Sequence, residues 1–299
     1  MKKYVVLTDT GCDLNGELRS QFDIEYLPMH LALNGESFDA DLDWKHHSAK
    51  EFYDIMREGN RYTSAQINVA EFTAAFEKYA ELGVDVLYVA TSVQISASVN
   101  ASRVARDNVL KNHPEMKIIV VDALRSSYTL GLIAIRASEL RAEGKTIEET
   151  AEWIENNKNT SNMIGSVDKL TWLRMAGRVS ATSAFFGGLL NIKPIVIADA
   201  IGRNFAQEKV RGRRTSMERI AEKVKEAYLD LPYQRIFITH ADCEEEGLEL
   251  KKMILDALGN PNVPVHFDYV GPGVGSAVGP GMLAAFLWGK EVEVNKPEN

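Results

Sequence analysis

The sequence predicts an α/β protein of two domains: an N-terminal three-layer α/β/α domain with a parallel sheet, then a C-terminal α/β domain with a mixed sheet. Three observations predict this. The chain has 299 residues, more than one domain usually contains. In the first half, apolar runs of strand length alternate with segments of helical periodicity, which is typical of a parallel sheet covered by helices. In the second half, a turn at 201–204 between two strand-like runs predicts antiparallel pairing.

The elements of the first half follow from spacing and composition. Short apolar runs predict strands, and apolar residues at helical spacing between cap residues and glycines predict helices. The predicted strands cover residues 4–8, 24–33, 84–91 and 117–122. The predicted helices cover residues 14–22, 48–57, 69–82, 98–112, 128–141 and 146–154.

A polar run separates the two halves. Residues 156–162 are all polar and four of them are Asn, so we predict a linker there and domains of residues 1–158 and 159–299. In the second domain, the predicted strands cover residues 163–167, 195–198, 205–210, 235–240 and 265–270. The predicted helices cover residues 217–229 and 247–258.

Charge and cysteine content limit the classes of protein. The chain has 34 Lys and Arg against 42 Asp and Glu, a net charge of −8, which argues against nucleic acid as the main ligand. The apolar run at 282–288 is far shorter than the roughly 20 residues of a membrane-spanning helix. The two cysteines, Cys12 and Cys243, are far apart, and no charged-then-apolar leader precedes Tyr4. We therefore expect a cytoplasmic protein.

A glycine-rich segment near the end of the chain predicts a site. Residues 271–281 include five glycines, and we predict a loop that lies close to a ligand. Residues 279–284 also fit an Ala-ended dinucleotide fingerprint that follows a strand and opens a helix. That fingerprint needs a second strand with an acidic residue about 20 positions on, and the sequence ends at Asn299, which argues against a dinucleotide.

Three further motifs invite chemical interpretations. The Asp9-Thr10-Gly11 sequence is the aspartic protease signature, but it occurs once, so capping of a helix is the simpler interpretation and a hydrolase that uses Asp9 remains an alternative. Residues 39–50 resemble a calcium loop but lack its Gly and its bidentate Glu. His46 and His47 are predicted to be a solvated pair, and no metal site is predicted.

Hydroxyl groups and cations are concentrated in a few places. Thr63 and Ser64 precede Gln66, and further hydroxyls lie in residues 91–98 after the third strand, where ligands of open parallel sheets bind. Four cations lie within residues 209–214, and Arg178 lies in a second polar turn. The guanidinium groups could bind an acidic protein partner or a phosphate, or could be a solvated charge run.

Seven short motifs occur in order along the chain. They are 8–14 (TDTGCDL), 63–69 (TSAQINV), 91–98 (TSVQISAS), 173–180 (LRMAGRVS), 189–194 (LLNIKP), 209–212 (KVRG) and 279–281 (GPG). Together they resemble the DegV family of bacterial fatty-acid-binding proteins, from Tyr4 to about Gly289.

The resemblance implies a carrier that holds a long-chain fatty acid between two α/β domains and binds its carboxylate with hydroxyls and a histidine. Related carriers present the acid to an ATP-dependent fatty acid kinase for phospholipid synthesis. The resemblance therefore implies no enzyme activity, no catalytic residue and no cofactor other than the bound lipid. It also implies that Arg178, Arg211 and Arg214 contact the kinase.

The headgroup positions implied by the resemblance are Thr63, Ser64, Ser92, Val93, Ser96 and Ala277. Two of them lack the family's polar group, because Val93 replaces a serine and Ala277 replaces the histidine. Each charge-assisted hydrogen bond to a buried carboxylate contributes roughly 1.5–3 kcal/mol. Three compensations are open: backbone N–H groups or water replace the donors, the acid binds protonated, or the ligand has a less charged head. A relative that binds a partner but has lost its lipid is a further alternative.

Overall fold

The computed structural model describes residues 4–180 and 191–297, so the motif at 189–194 begins outside the described residues. The strands are β1 (Tyr4–Asp9), β2 (Ile24–Leu27), β3 (His30–Leu33), β4 (Glu36–Asp39), β5 (Thr63–Ala65), β6 (Asp85–Ala90), β7 (Ile118–Asp122), β8 (Ser161–Ser166), β9 (Val179–Ser180), β10 (Ile192–Ala198), β11 (Asn204–Arg211), β12 (Ile236–His240), β13 (Val265–Tyr269) and β14 (Leu283–Trp288). The helices are α1 (Gly16–Phe22), α2 (Ala49–Arg57), α3 (Val69–Glu81), α4 (Ser98–Asn112), α5 (Tyr128–Ala142), α6 (Ile147–Asn157), α7 (Leu170–Ala176), α8 (Arg213–Ala227), α9 (Glu244–Leu258) and α10 (Pro272–Val278).

The first half is built on a parallel sheet with strand order β2-β1-β6-β7. Strands β1 and β6 are buried along their whole length, as expected for continuous apolar strands covered on both faces. Helices α4 and α6 pack on β7, and α5 packs on β1. The predicted combination of a parallel sheet with a separate mixed sheet is confirmed.

One predicted strand is wrong. Residues 24–33 form two strands in different sheets, because β2 ends before Pro28 and β3 pairs antiparallel with β4 and β5. Proline lacks the N–H that would continue the ladder of the parallel sheet, so the chain leaves that sheet there. The resulting three-stranded sheet, with order β4-β3-β5, holds the Thr63–Ala65 segment at an edge.

The second half contains a seven-stranded mixed sheet with order β13-β12-β14-β8-β10-β11-β9. β10 and β11 form the predicted antiparallel pair around Gly202. The apolar run near the end of the chain is β14, which pairs with β12 and β8 and is buried throughout. The dinucleotide fingerprint at 279–284 therefore opens a strand and not a helix, which removes the geometry that a pyrophosphate would need.

The glycine-rich segment is not the predicted loop. Pro272 starts helix α10, because proline suits the first position of a helix, where its missing N–H is not needed. The glycines allow close packing: a methyl group at Gly275 would lie 2.4 Å from Tyr53 Oη, and one at Gly271 would lie 2.4 Å from Asp13 Oδ1. Within this segment, positive φ occurs only after the helix, at Gly279 (φ 71°) and Gly281 (φ 83°).

The polar run at 156–162 is regular structure and not an open linker. Helix α6 ends at Asn157, a 3-10 turn covers Lys158–Thr160, and β8 begins at Ser161. The side chain of Asn162 donates to the carbonyl groups of Thr160 and Lys290, so the run is tied to the end of β14. A division into two domains at this point stays a prediction.

Helix α5 belongs to both halves. It contacts β1, β2 and β6 of the parallel sheet as well as β8 and β14 of the mixed sheet. Eleven of its fifteen residues are buried, including Tyr128, whose ring stacks on Phe237 at 4.5 Å. A helix that is buried on most of its sides is expected between two packed layers.

Candidate ligand-binding cavity

A cavity of about 320 Å³ lies between the parallel sheet and the elements of the second half. Its floor includes Gly11, which follows β1, and Thr91, which follows β6. β1 and β6 are neighbours, and the chain leaves them towards opposite edges of the sheet. This is the topological switch point, where ligands of open α/β sheets bind. Helices α7 and α10 and strand β9 contribute the other walls.

The lining of the cavity is amphipathic. Hydroxyl groups come from Thr63, Ser64, Thr91, Ser96, Ser126 and Ser276. Apolar side chains come from Met29, Ile95, Leu173, Val179, Val274 and Val278. The charged residues of the described lining are Arg61 and Arg178, with no Asp, Glu, Lys or His among them. Such a lining suits a molecule with one apolar part and one polar or anionic part.

A buried carboxylate fixes the floor of the cavity. Asp9 has no exposed surface, and its oxygens accept hydrogen bonds from Gly11 N (2.9 Å), Thr91 Oγ1 (2.6 Å), Thr91 N (3.0 Å) and Tyr88 Oη (2.7 Å). Burial raises the pKa of Asp9, and these four donors act in the opposite direction. Asp9 therefore orients Thr91, and its oxygens are occupied by these four donors, which argues against the hydrolase alternative.

A second hydroxyl cluster lies at the start of α4. Ser96 Oγ is 3.0 Å from Ser98 Oγ and accepts from Ser98 N, while Ser98 Oγ accepts from Ile67 N. These bonds connect the loop after β6 with the segment after β5. Ser96 lines the cavity, whereas Ser98 is buried behind it.

The predicted headgroup residues divide into two groups. Thr63, Ser64, Ser96 and Ala277 line the cavity. Ser92 and Val93 do not belong to the described lining: Ser92 Oγ donates to Gly202 O (2.7 Å), and Val93 N donates to the carboxylate of Asp122. Thr91, one residue earlier, supplies the hydroxyl at this place instead.

The predicted docking arginines have different surroundings. All three side chains are exposed. Arg178 donates to Ala176 O and lies at the wall of the cavity. Arg211 ends β11, and Arg214 forms ion pairs with Glu218 and Glu249. Only Arg214 of the three is thus already neutralised by acidic neighbours within the described chain.

The cavity residues that sequence patterns missed include Ser126 and Arg61. Ser126 follows β7 and could have been found, since a hydroxyl after a parallel strand is the signal that identified residues 91–98. Arg61 precedes the short strand β5, which was not predicted because its three residues are polar or small and exposed. No sequence signal marked Arg61 as a cavity residue.

Only one of the paired histidines is solvated as predicted, because His46 is exposed and His47 is half-buried. The ring of His46 stacks on Phe38 at 3.7 Å, and His47 lies edge-on to Phe38 with its Nε2 atom buried. Burial lowers the pKa of His47, so the neutral form is favoured. Among the described residues, no group of three or more His, Cys, Asp and Glu side chains is placed to hold a metal ion. Within the same ranges, no helix has the length and apolar character needed to cross a membrane.

The fold and the cavity define a class of α/β protein in which a parallel sheet and a mixed sheet enclose an amphipathic cavity at the switch point. The sequence model of the DegV family, described as "Uncharacterised protein, DegV family", matches residues 3–290. The chain belongs to the DegV family.

Known members of the family are similar to this chain over nearly its whole length. A DegV domain-containing protein of Clostridium perfringens, CPE0026, is 34% identical over 295 residues, which is 98% of this chain and 100% of the relative. The structure of the DegV lipid binding protein TM1468 of Thermotoga maritima is similar with a TM-score of 0.83 and 26% identity, over 97% of this chain and 100% of that one. The structure of DegV of Bacillus subtilis, a fatty acid binding protein, is similar with a TM-score of 0.82 and 28% identity, over the same shares.

Proposed function

We propose that this protein binds a long-chain fatty acid or a closely related lipid in the cavity between its two halves and acts as a carrier and not as an enzyme. The observation that carries the proposal is the amphipathic lining: hydroxyl groups and two arginines together with aliphatic side chains, and no acidic group among the described lining residues. The similarity to the lipid-binding protein of T. maritima and the fatty-acid-binding protein of B. subtilis supports it.

The acyl chain and the carboxylate of a fatty acid would contribute to the binding free energy in different ways. Burying an acyl chain contributes about 0.8 kcal/mol per CH₂ group, so the aliphatic walls supply most of the affinity. A carboxylate gains hydrogen bonds of roughly 1.5–3 kcal/mol each from donors it can reach. Thr91 Oγ1 donates to Asp9, so it offers a ligand only acceptor lone pairs, and donation to a carboxylate falls to Ser64, Ser96 and other groups.

Native mass spectrometry tests the proposal. Protein purified from cells, or incubated with palmitate, is expected to show the added mass of one fatty acid. Ala277→Phe places a ring in the cavity and is expected to abolish the added mass, because the cavity loses the volume that the chain occupies. Ala70→Phe, at an exposed position of α3, is the matched control and is expected to retain the lipid. A wild-type protein that stays lipid-free after incubation with palmitate contradicts the proposal.

We also propose that the loaded protein presents its headgroup to an ATP-dependent fatty acid kinase in the cytoplasm, for phospholipid synthesis. Arg178 and Arg211 support this, because both are exposed and neither forms an ion pair with an acid among the described residues. Unpaired guanidinium groups at a surface favour an acidic partner. The free thiols of Cys12 and Cys243 suit a reducing compartment.

Charge reversal tests the docking surface. Arg211→Glu is expected to weaken binding of the palmitate-loaded protein to a purified kinase subunit by about tenfold or more, because an attraction becomes a repulsion. Isothermal calorimetry at low salt measures the change. Arg103→Glu alters the net charge equally on exposed α4 surface and is expected to leave binding unchanged. Equal binding by wild type and Arg211→Glu would remove Arg211 from the docking surface.

A further inference from the structure

The charge of the cavity has the opposite sign to that of the chain. The protein as a whole has eight more acidic than basic residues, yet the described lining holds Arg61 and Arg178 and no carboxylate. Cavities lined by one sign of charge concentrate ligands of the other sign. Either arginine could therefore pair with an anionic headgroup.

Arg61 has most of its hydrogen-bonding capacity unused. Its Nη2 atom donates to Met175 O at the last turn of α7, and no other hydrogen bond or ion pair of its guanidinium occurs within the described residues. A guanidinium group carries five N–H donors in a planar fork. Four of them therefore remain available in a geometry that matches a carboxylate.

The position of Arg61 in the fold places it beside the hydroxyl groups. It lies two residues before β5, whose Thr63 and Ser64 line the cavity. Helix α10, which carries Ala277, packs against both β5 and α7. The guanidinium is held at the end of α7, and Arg61 lines the same cavity as Ala277, whose side chain offers a ligand no donor. The guanidinium of Arg178 donates to the next carbonyl of α7, Ala176 O, but Arg178 belongs to the segment before β9 and not to the segment before β5.

We propose that Arg61 is the specificity-determining residue that pairs with the anionic headgroup, so that the cavity selects an ionised acid over an alcohol of the same chain length. The inference rests on the proposed lipid-binding function and deepens it. The contact also explains how an acid can be bound by a cavity with an alanine at position 277. The carboxylate accepts from Arg61 while the hydroxyls beside it complete its hydrogen bonds.

A comparison of a charged and an uncharged ligand isolates the contribution of the headgroup charge to binding. Dissociation constants of palmitate and of hexadecanol, which has the same chain length and no charge, are measured at pH 7.5 for wild type, Arg61→Gln and Arg103→Gln. In Arg61→Gln, palmitate is expected to bind about 10- to 100-fold more weakly, and hexadecanol within about twofold of wild type. Arg103→Gln removes a charge from the exposed surface of α4 and is expected to change neither constant. Arg61→Lys, which keeps the charge, is expected to retain more palmitate affinity than Arg61→Gln.

The outcomes separate this inference from the function on which it rests. If wild type binds palmitate and Arg61→Gln binds it equally well, the inference is overturned and lipid binding stands. If both ligands weaken by the same factor, Arg61 acts only by holding α7 through Met175, and the inference is again overturned. If wild type binds neither ligand, the proposed function fails, and the inference fails with it.

Discussion

Replacing Arg125 with methionine is expected to lower the free energy of unfolding by about 3–5 kcal/mol, the range for breaking a buried charge network. Arg125 has no exposed surface and joins the two halves of the chain: Nε donates to Ser161 O (2.7 Å), Nη1 to Asp199 O (3.1 Å), and Nη2 to Asn159 Oδ1 (3.1 Å). Burial lowers its pKa to about 10, so it stays charged at neutral pH, with the carboxylate of Asp199 opposing that shift.

Methionine keeps much of the volume of the Arg125 side chain and has none of its hydrogen-bond donors. The buried carbonyls of Ser161 and Asp199 then lose a partner, and the fully buried Asp199 carboxylate loses its compensating charge. Urea denaturation followed by circular dichroism measures the change. Arg103→Met, on the exposed surface of α4, is the control and is expected to stay within about 0.5 kcal/mol of wild type. A loss below about 1 kcal/mol for Arg125→Met would contradict the view of Arg125 as a clamp between the halves.

The second large effect is an unusual pH dependence that originates at Asp13. Burial raises the pKa of this carboxyl to about 8, and the hydrogen bond from Ser127 Oγ (2.6 Å) only partly offsets it. Its other oxygen, Oδ1, is buried beside Gly271, whose backbone N–H also lowers the pKa, but burial prevails. At neutral pH the folded protein therefore holds a proton at Asp13, whereas the unfolded chain, with a carboxyl pKa of about 3.9, has already released it.

The sign of the effect follows from that proton. A folded pKa above the unfolded value gives stability that is complete below about pH 4 and is lost as the pH rises through about 8. The slope between roughly pH 5 and pH 7 is about 1.4 kcal/mol of lost stability per pH unit. Asp13→Asn, which accepts from Ser127 and tolerates the φ of 57°, is expected to lack this loss and to become at least as stable as wild type above pH 8.

Denaturation of wild type and of Asp13→Asn across pH 5–9 measures the difference between their free energies of unfolding. That difference cancels the contributions of His47, His240 and His266, whose lowered pKa values act in the opposite direction below about pH 6.5. Asp256→Asn, at an exposed position of α9, is the control and is expected to parallel wild type. Parallel pH profiles of wild type and Asp13→Asn would show that Asp13 is ionised in the folded protein.

The predictable part of the fold is the part governed by local chemistry. Buried parallel strands such as β1 and β6 are continuous apolar runs, and the cap residues and glycines at helix ends are local signals. Strand β5 and helix α7 were missed because little of either is buried. Helix α10 was missed because glycine and proline are poor helix formers, and close packing on Tyr53 and Asp13 overrides that propensity.

The candidate site shows the same limit at the level of single residues. Hydroxyls after the third strand indicated the correct edge of the sheet, since the carboxyl ends of parallel strands are a topological consequence of the fold. Whether Thr91 or Ser92 faces the cavity depends on Gly202, 110 residues further along the chain, which accepts from Ser92. The hydrogen bond that holds Arg61 at the cavity joins it to Met175, which lies 114 residues further along the chain. Such pairings depend on tertiary structure and leave no local pattern.

Helix α5 has a consequence for how the chain folds. Because the helix contacts both sheets, neither half can bury the apolar surface that faces the helix until the other half is in place. A nascent chain released after residue 158 would present the ring of Tyr128 to water in place of Phe237 and Phe286. Cooperativity between the halves is therefore built into one shared helix, and the cavity between them forms only when the whole chain has been synthesised.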